Sequence, residues 1–305
     1  MRRHALVFPG QGSQRIGMLE RLPAIESFER LVDAAEALSG LPLARIATEG
    51  PADRLADTRV AQPLLYLCDW AWGVTLLSEG AEPAALAGHS LGEYAALAVG
   101  GVVSPEAGLE LVIERSRLMS AAATEKPGGM AAVLGMERAM ALDLLSSLDG
   151  VWVANDNSPG QIVISGTHQG IEAATSALMS AGARKVVPLQ VSGGFHSPLM
   201  SAAQDSFAQI LRDADMRPSA YPLYQNTDPA PATSPDVIRK RLIDQLVRPV
   251  RWTETMEALV SDGVEVLVEC GPGAVLCGLA RRFDGLESVD VEDGGISSVM
   301  GVLRS

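Results

Sequence analysis

The 305-residue chain reads as an α/β protein carrying a small inserted unit, and three observations lead there. Short apolar runs alternate with longer helical stretches, the pattern of a parallel sheet covered by helices. One strand-to-helix junction carries Gly88-His89-Ser90-Leu91-Gly92, a pentapeptide of the form G-x-S-x-G. Between residues 124 and 192 the rhythm changes to four short strands and two helices in the order β-α-β-β-α-β, which is ferredoxin-like.

The elements follow in order. His4–Phe8 is a first strand ending in the turn Pro9-Gly10-Gln11-Gly12. Residues 26–38 and 59–78 carry helical patterns, and 84–88 is a second strand running into the pentapeptide. Ser104-Pro105-Glu106 starts a helix, with Ser as N-cap and Pro at the first helical position. That helix should run to about residue 122, before the breaker Lys126-Pro127-Gly128-Gly129. The inserted unit then reads as strands at 130–134, 151–154, 161–165 and 185–191, with helices at 137–148 and 168–181. Ser197-Pro198 marks another helix start, and 264–269 is a strong strand closed by Gly271-Pro272-Gly273. The predicted division is a core made of 1–123 and 193–305 with a subdomain at 124–192.

Composition narrows the function classes. A net charge of -13 argues against nucleic acid as the main partner. No apolar run is long enough to span a bilayer, and the apolar stretch before Pro9 is too short for a signal peptide. Cys68, Cys270 and Cys277 lack metal-type spacing, which fits a reducing cytoplasm and no bound metal.

A bare G-x-S-x-G is a common chance match; the strand before it and the helix after it give it meaning. A serine on such a turn projects its hydroxyl out of the sheet, and the following amides favour negative charge. Ser90 is therefore a candidate nucleophile, and it needs a base. Four histidines allow elimination. His4 begins a strand at the wrong end, His89 adjoins the serine on a sharp turn, and His168 sits in a polar turn. His196 lies in a loop between a strand and a helix start, where catalytic groups of α/β enzymes gather. It is the preferred base; a histidine satisfied by local backbone is the plain alternative.

Arg115 stands out on the helix after the elbow. Its neighbours at three and four residues are Leu111, Val112, Leu118 and Met119, whereas Arg117 has Glu114 within salt-bridge spacing. A guanidinium so placed either snorkels outward or finds an anion. A substrate carboxylate is one candidate, since the planar fork grips both oxygens. The turn from Pro9 to Gln14 fails the G-x-G-x-x-G pattern because Arg15 occupies the third glycine position. It either offers an amide to an oxyanion, alongside that of Leu91, or is simply a tight turn.

These motifs, with Arg115-Ser116-Arg117-Leu118-Met119, Asn155-Asp156-Asn157-Ser158-Pro159-Gly160-Gln161, Phe195-His196-Ser197 and Gln245-Leu246-Val247-Arg248-Pro249, span nearly the whole chain. Together they resemble the malonyl-CoA:acyl carrier protein transacylases and the acyltransferase domains of fatty acid and polyketide synthases. The resemblance implies a hydrolase-like α/β core with a ferredoxin-like insertion. It implies Ser90 as the acylated residue, His196 as general base, and the Gln11 and Leu91 amides as oxyanion hole. Arg115 would hold the malonyl carboxylate; the histidine would be oriented by a main-chain carbonyl or a glutamine rather than an acid, and Gln245 matches that glutamine. Asn155 and Gln62 match positions near the acyl pocket. Phe195 resembles the malonyl-selecting type, its bulk disfavouring an α-methyl substituent.

The implied partners are malonyl-CoA and acyl carrier protein, with no cofactor beyond the phosphopantetheine of that partner. Fatty acid synthesis is the expected service. A trans-acting polyketide acyltransferase, the transacylase subunit of a malonate decarboxylase, a serine thioesterase and a non-catalytic scaffold are the alternatives. Arg239-Lys240-Arg241 and Arg184-Lys185 are the basic clusters available to an acidic carrier protein, or are solvated element ends.

Overall fold

The computed structural model describes all 305 residues. The strands are β1 (His4–Phe8), β2 (Ala85–Gly88), β3 (Gly129–Leu134), β4 (Val151–Ser158), β5 (Gln161–Gly166), β6 (Lys185–Pro188), β7 (Leu223–Gln225), β8 (Asp228–Ala232), β9 (Val250–Arg251), β10 (Val266–Glu269) and β11 (Glu287–Asp290). The helices up to the insertion are α1 (Phe28–Ser39), α2 (Leu43–Glu49), α3 (Ala52–Leu55), α4 (Thr58–Ser78), α5 (Gly92–Val99) and α6 (Pro105–Glu125). Then come α7 (Arg138–Ser146), α8 (His168–Ser180), α9 (Ser201–Asp213), α10 (Pro235–Gln245), α11 (Trp252–Ser261), α12 (Val275–Ala280) and α13 (Val291–Arg304).

The larger sheet has the order β11-β10-β1-β2-β7-β8. Its first five strands run parallel, and β8 returns antiparallel to β7. β1 and β2 are short and wholly buried, as central parallel strands covered on both faces must be. Helix α4 is largely buried against α5 and α6 and is capped by the Asp57 side chain, which accepts from the Arg59 amide. All the parallel strands point their C-terminal ends at one edge, where ligands of open α/β sheets bind.

The smaller sheet has the order β6-β3-β5-β4-β9. Its first four strands pair antiparallel and, with α7 and α8, complete the ferredoxin-like pattern predicted from sequence. The fifth, β9, comes from the segment assigned to the core and pairs parallel with β4, Asn155 opposite Val250. The two sheets are thereby stitched together beside the pentapeptide. Several boundaries also move. β4 runs to Ser158 rather than 154, β6 stops at Pro188 rather than 191, and Ser197 caps a short 3-10 turn before α9. No helix is long and apolar enough to cross a membrane.

Candidate active site

β2 delivers Gly88 buried at the sheet edge, and the chain then turns into α5 within four residues. Ser90 takes a positive φ of 53°, the strained conformation of a nucleophile on a strand-to-helix elbow. The two glycines are required by contact. A Cβ on Gly88 would lie 2.0 Å from the Gly92 carbonyl carbon, and one on Gly92 would lie 2.0 Å from the Phe8 carbonyl oxygen. Asn226, just after β7, holds the strained turn from the side. Its Oδ1 accepts from the Ser90 amide at 2.6 Å and its Nδ2 donates to the Gly88 carbonyl at 2.6 Å.

His196 meets this serine from 106 residues away, its Nε2 standing 2.7 Å from Ser90 Oγ. It too has a positive φ, of 55°. Nδ1 lies 2.9 Å from the Gln245 carbonyl oxygen and 3.2 Å from that of Arg248. Both are acceptors only, so Nδ1 carries the proton and Nε2 is free to accept from the serine hydroxyl. Burial, reinforced by the nearby Arg115 charge, pushes the imidazole down to about 3 and keeps it neutral. The other histidines stand apart from this role. His4 bonds the Arg2 carbonyl, His168 is exposed, and His89 is half-buried with Nε2 donating to Asn157 Oδ1 at 2.9 Å.

Arg115 does not snorkel. It is 1% exposed, and its fork is turned onto the elbow. Nη1 donates to Gln62 Oε1 at 2.8 Å, while Nη2 donates to Ser90 Oγ at 3.0 Å and to Gln245 Oε1 at 3.2 Å. Its guanidinium carbon lies 5.4 Å from the centroid of the Tyr94 ring. Nε has no acceptor, and the side chain makes no salt bridge. Burial lowers its pKa from the usual value. The contrast with Arg117, exposed and paired with Glu114 at 2.7 Å, is the one the sequence suggested.

Gln11, Leu91, Asn155, Phe195, Gln62 and Arg115 line one cavity around Ser90 and His196. The backbone amides of Gln11 and Leu91 have no acceptor within the protein. The Gln11 turn is pinned by its own side chain, whose Nε2 donates to the Ala56 carbonyl at 3.2 Å. Asn155 Oδ1 is buried without a donor, and Phe195 is buried. Gln245 acts on the histidine through its main-chain carbonyl, not its side chain. The side-chain amide instead donates to the Ser90 carbonyl at 2.9 Å and to Glu93 Oε2 at 2.5 Å.

Sequence reasoning missed Asn226 and Glu93. Nothing local marks Asn226 as an elbow clamp, because its partners lie in another strand's loop. Glu93 has the local sequence pattern of any acid in the first turn of a helix, yet it is 1% exposed and burial pushes it up to about 7. Of the basic clusters, Arg239 bonds the Leu211 and Ala214 carbonyls, and Arg241 pairs with Asp228 at 2.5 Å. Both hold α10 in place. Lys240, Arg184 and Lys185 are exposed.

The arrangement is that of a serine made nucleophilic by a neutral imidazole, beside two free amides and a buried cation. The acyl transferase domain family matches the chain over residues 5–304. The malonyl CoA-acyl carrier protein transacylase of Salmonella typhimurium is 40% identical over 291 residues, covering 93% of this chain and 93% of that protein. The structure of the corresponding transacylase of Coxiella burnetii superposes with a TM-score of 0.92 at 33% identity, over 99% of this chain and 97% of the other. A malonyl-transacylase solved in complex with a type II polyketide acyl-carrier protein gives a TM-score of 0.90 at 36% identity, over 99% of each chain.

Proposed function

Because this chain belongs to the acyl transferase family, we propose that it is a malonyl-CoA:acyl carrier protein transacylase working through a Ser90 ester. The observation that carries the substrate choice is the fork of Arg115, buried, 3.0 Å from Ser90 Oγ and without a carboxylate partner. A buried cation with an open demand for an anion suits an acyl group that ends in a carboxylate.

In the first half-reaction His196 Nε2 takes the Ser90 proton as Oγ attacks the thioester carbonyl of malonyl-CoA. The Gln11 and Leu91 amides would hold the tetrahedral oxyanion. The carbon–sulfur bond then breaks, and His196 returns the proton to the departing CoA thiolate. In the second half-reaction His196 takes the proton of the carrier's phosphopantetheine thiol, whose sulfur attacks the serine ester. Ser90 Oγ leaves and recovers the proton from His196. The main-chain carbonyls on Nδ1 keep the imidazole in the required tautomer throughout, with no acid in the relay. The chemistry needs no cofactor of its own.

Fatty acid synthesis is the service we assign, in the cytoplasm, where the three free, buried cysteines would stay reduced. Service to a polyketide carrier is the second reading. It is favoured by the 36% identity to the transacylase of the polyketide complex, close to the 33% and 40% of the others. Stopped-flow discharge of the malonyl-enzyme separates transfer from hydrolysis. Rapid discharge is expected only with phosphopantetheinylated carrier protein, and equally rapid discharge into water would make the chain a thioesterase. Comparing fatty acid and polyketide carriers in the same assay assigns the pathway.

A further inference from the structure

Arg115 is buried beside a buried carboxylate that it does not touch. Glu93, in the first turn of α5, accepts from Gln225 Nε2 at 2.8 Å, from Gln245 Nε2 at 2.5 Å and from the Asn226 amide at 3.4 Å. All three partners are donors, so the hydrogen-bond pattern fits the ionised carboxylate. The same Gln245 side chain turns its Oε1 to Arg115 Nη2 at 3.2 Å. One amide thus stands between a carboxylate and a guanidinium, bonding to each with the atom of matching polarity. A direct buried ion pair would stabilise the empty site and compete with any incoming anion. With neither charge balanced, the empty site would carry a large desolvation cost.

We propose that Glu93 is the counter-charge of Arg115, held one amide away by Gln245, and that this spacing sets how tightly the site takes the malonyl carboxylate. Glu93 is a positioning and specificity-determining residue; it meets neither substrate nor the reacting atoms. The assignment rests on the carboxylate grip proposed above. It gives a sign that a purely structural role would not: removing the Glu93 charge should tighten malonyl binding, and moving it onto Arg115 should weaken it.

The test uses the full chain with Ser90→Ala, which cannot be acylated, titrated calorimetrically at pH 8 with malonyl-CoA and with acetyl-CoA. Adding Glu93→Gln keeps the shape and removes the charge. We expect malonyl-CoA to bind about tenfold tighter while acetyl-CoA moves by less than about twofold. The exchange Glu93→Gln with Gln245→Glu conserves net charge and the amide–carboxylate pair but brings the carboxylate to Arg115. Malonyl-CoA should then bind about tenfold more weakly relative to acetyl-CoA. The exchange also serves if Glu93→Gln alone fails to fold. Unchanged or weaker malonyl-CoA binding in Glu93→Gln, unchanged or tighter binding in the exchange, or a change shared by acetyl-CoA overturns the assignment. A Ser90→Ala parent that binds malonyl-CoA no better than acetyl-CoA overturns the carboxylate grip itself.

Discussion

Ser90 Oγ and Arg115 Nη2 stand 3.0 Å apart, so the proposed nucleophile and the cation proposed to hold the far end of the acyl group are in contact before substrate arrives. A carboxylate that took the Nη2 bond would displace the serine from it, while His196 stands 2.7 Å from the same hydroxyl. Under the proposed carboxylate grip, the same arginine would select the substrate and, once occupied, release the hydroxyl to its base.

Arg115→Ala should erode the preference for malonyl-CoA over acetyl-CoA. A charge-assisted hydrogen-bond pair is worth about 1.5–3 kcal/mol, or about one to two decades in relative kcat/KM. Competition between the two thioesters for acylation of Ser90 measures it. An unchanged ratio would remove Arg115 from this role.

At saturating malonyl-CoA, where a change in substrate affinity does not register, the acylation rate should stay level as pH falls from 8 to 5, because burial holds His196 neutral down to about 3. Stability carries the opposite signature. The folded pKa is depressed below the unfolded value of about 6.5, so between the two the unfolded chain binds more protons. The contribution is fully present above pH 6.5 and is lost as pH falls, by up to about 1.4 kcal/mol per pH unit. Chemical denaturation of the wild type and His196→Gln from pH 7 to 5 checks it. The variant should lose less stability on acidification, and parallel losses would contradict the shift.

Asn226→Ala removes both 2.6 Å bonds that hold the elbow. The strained φ of Ser90 is then free to relax, and kcat should fall by about ten- to a hundredfold with little change in KM for malonyl-CoA. Asn226→Asp keeps the acceptor for the Ser90 amide and loses the donor to Gly88, so it should fall in between. A rise in KM without a fall in kcat would mean that Asn226 serves the binding pocket instead.

Phe195 is buried in the cavity wall one residue before the base. Phe195→Ala should open space for a branched acyl group and raise methylmalonyl-CoA acylation by about tenfold relative to malonyl-CoA. No gain for the branched thioester would place the steric gate elsewhere.

The sequence was most readable where the physics is local. The buried β1 and β2, the capped start of α6 and the ferredoxin-like order all leave marks within a few residues. Ser90 and Arg115 were legible for the same reason: one sits in a turn motif, the other is a charge among apolar neighbours. His196 was found by elimination among four imidazoles, not by any mark of its own. The two-residue β9 was illegible, because pairing that short is decided by what packs against it. The side-chain work of Gln245 and Glu93 was hidden too. A first-turn glutamate has the same local pattern in water or beside a buried arginine, and only the bonds from Gln245 at the end of α10 to Glu93 and Arg115 tell them apart.

The most direct measurement is intact-mass analysis and peptide mapping after brief exposure to malonyl-CoA. A single malonyl adduct should form on the peptide containing Ser90, be absent from Ser90→Ala, and pass to phosphopantetheinylated carrier protein when that is added. No adduct in the wild type, or an adduct that survives in Ser90→Ala, would contradict the acyl-serine relay.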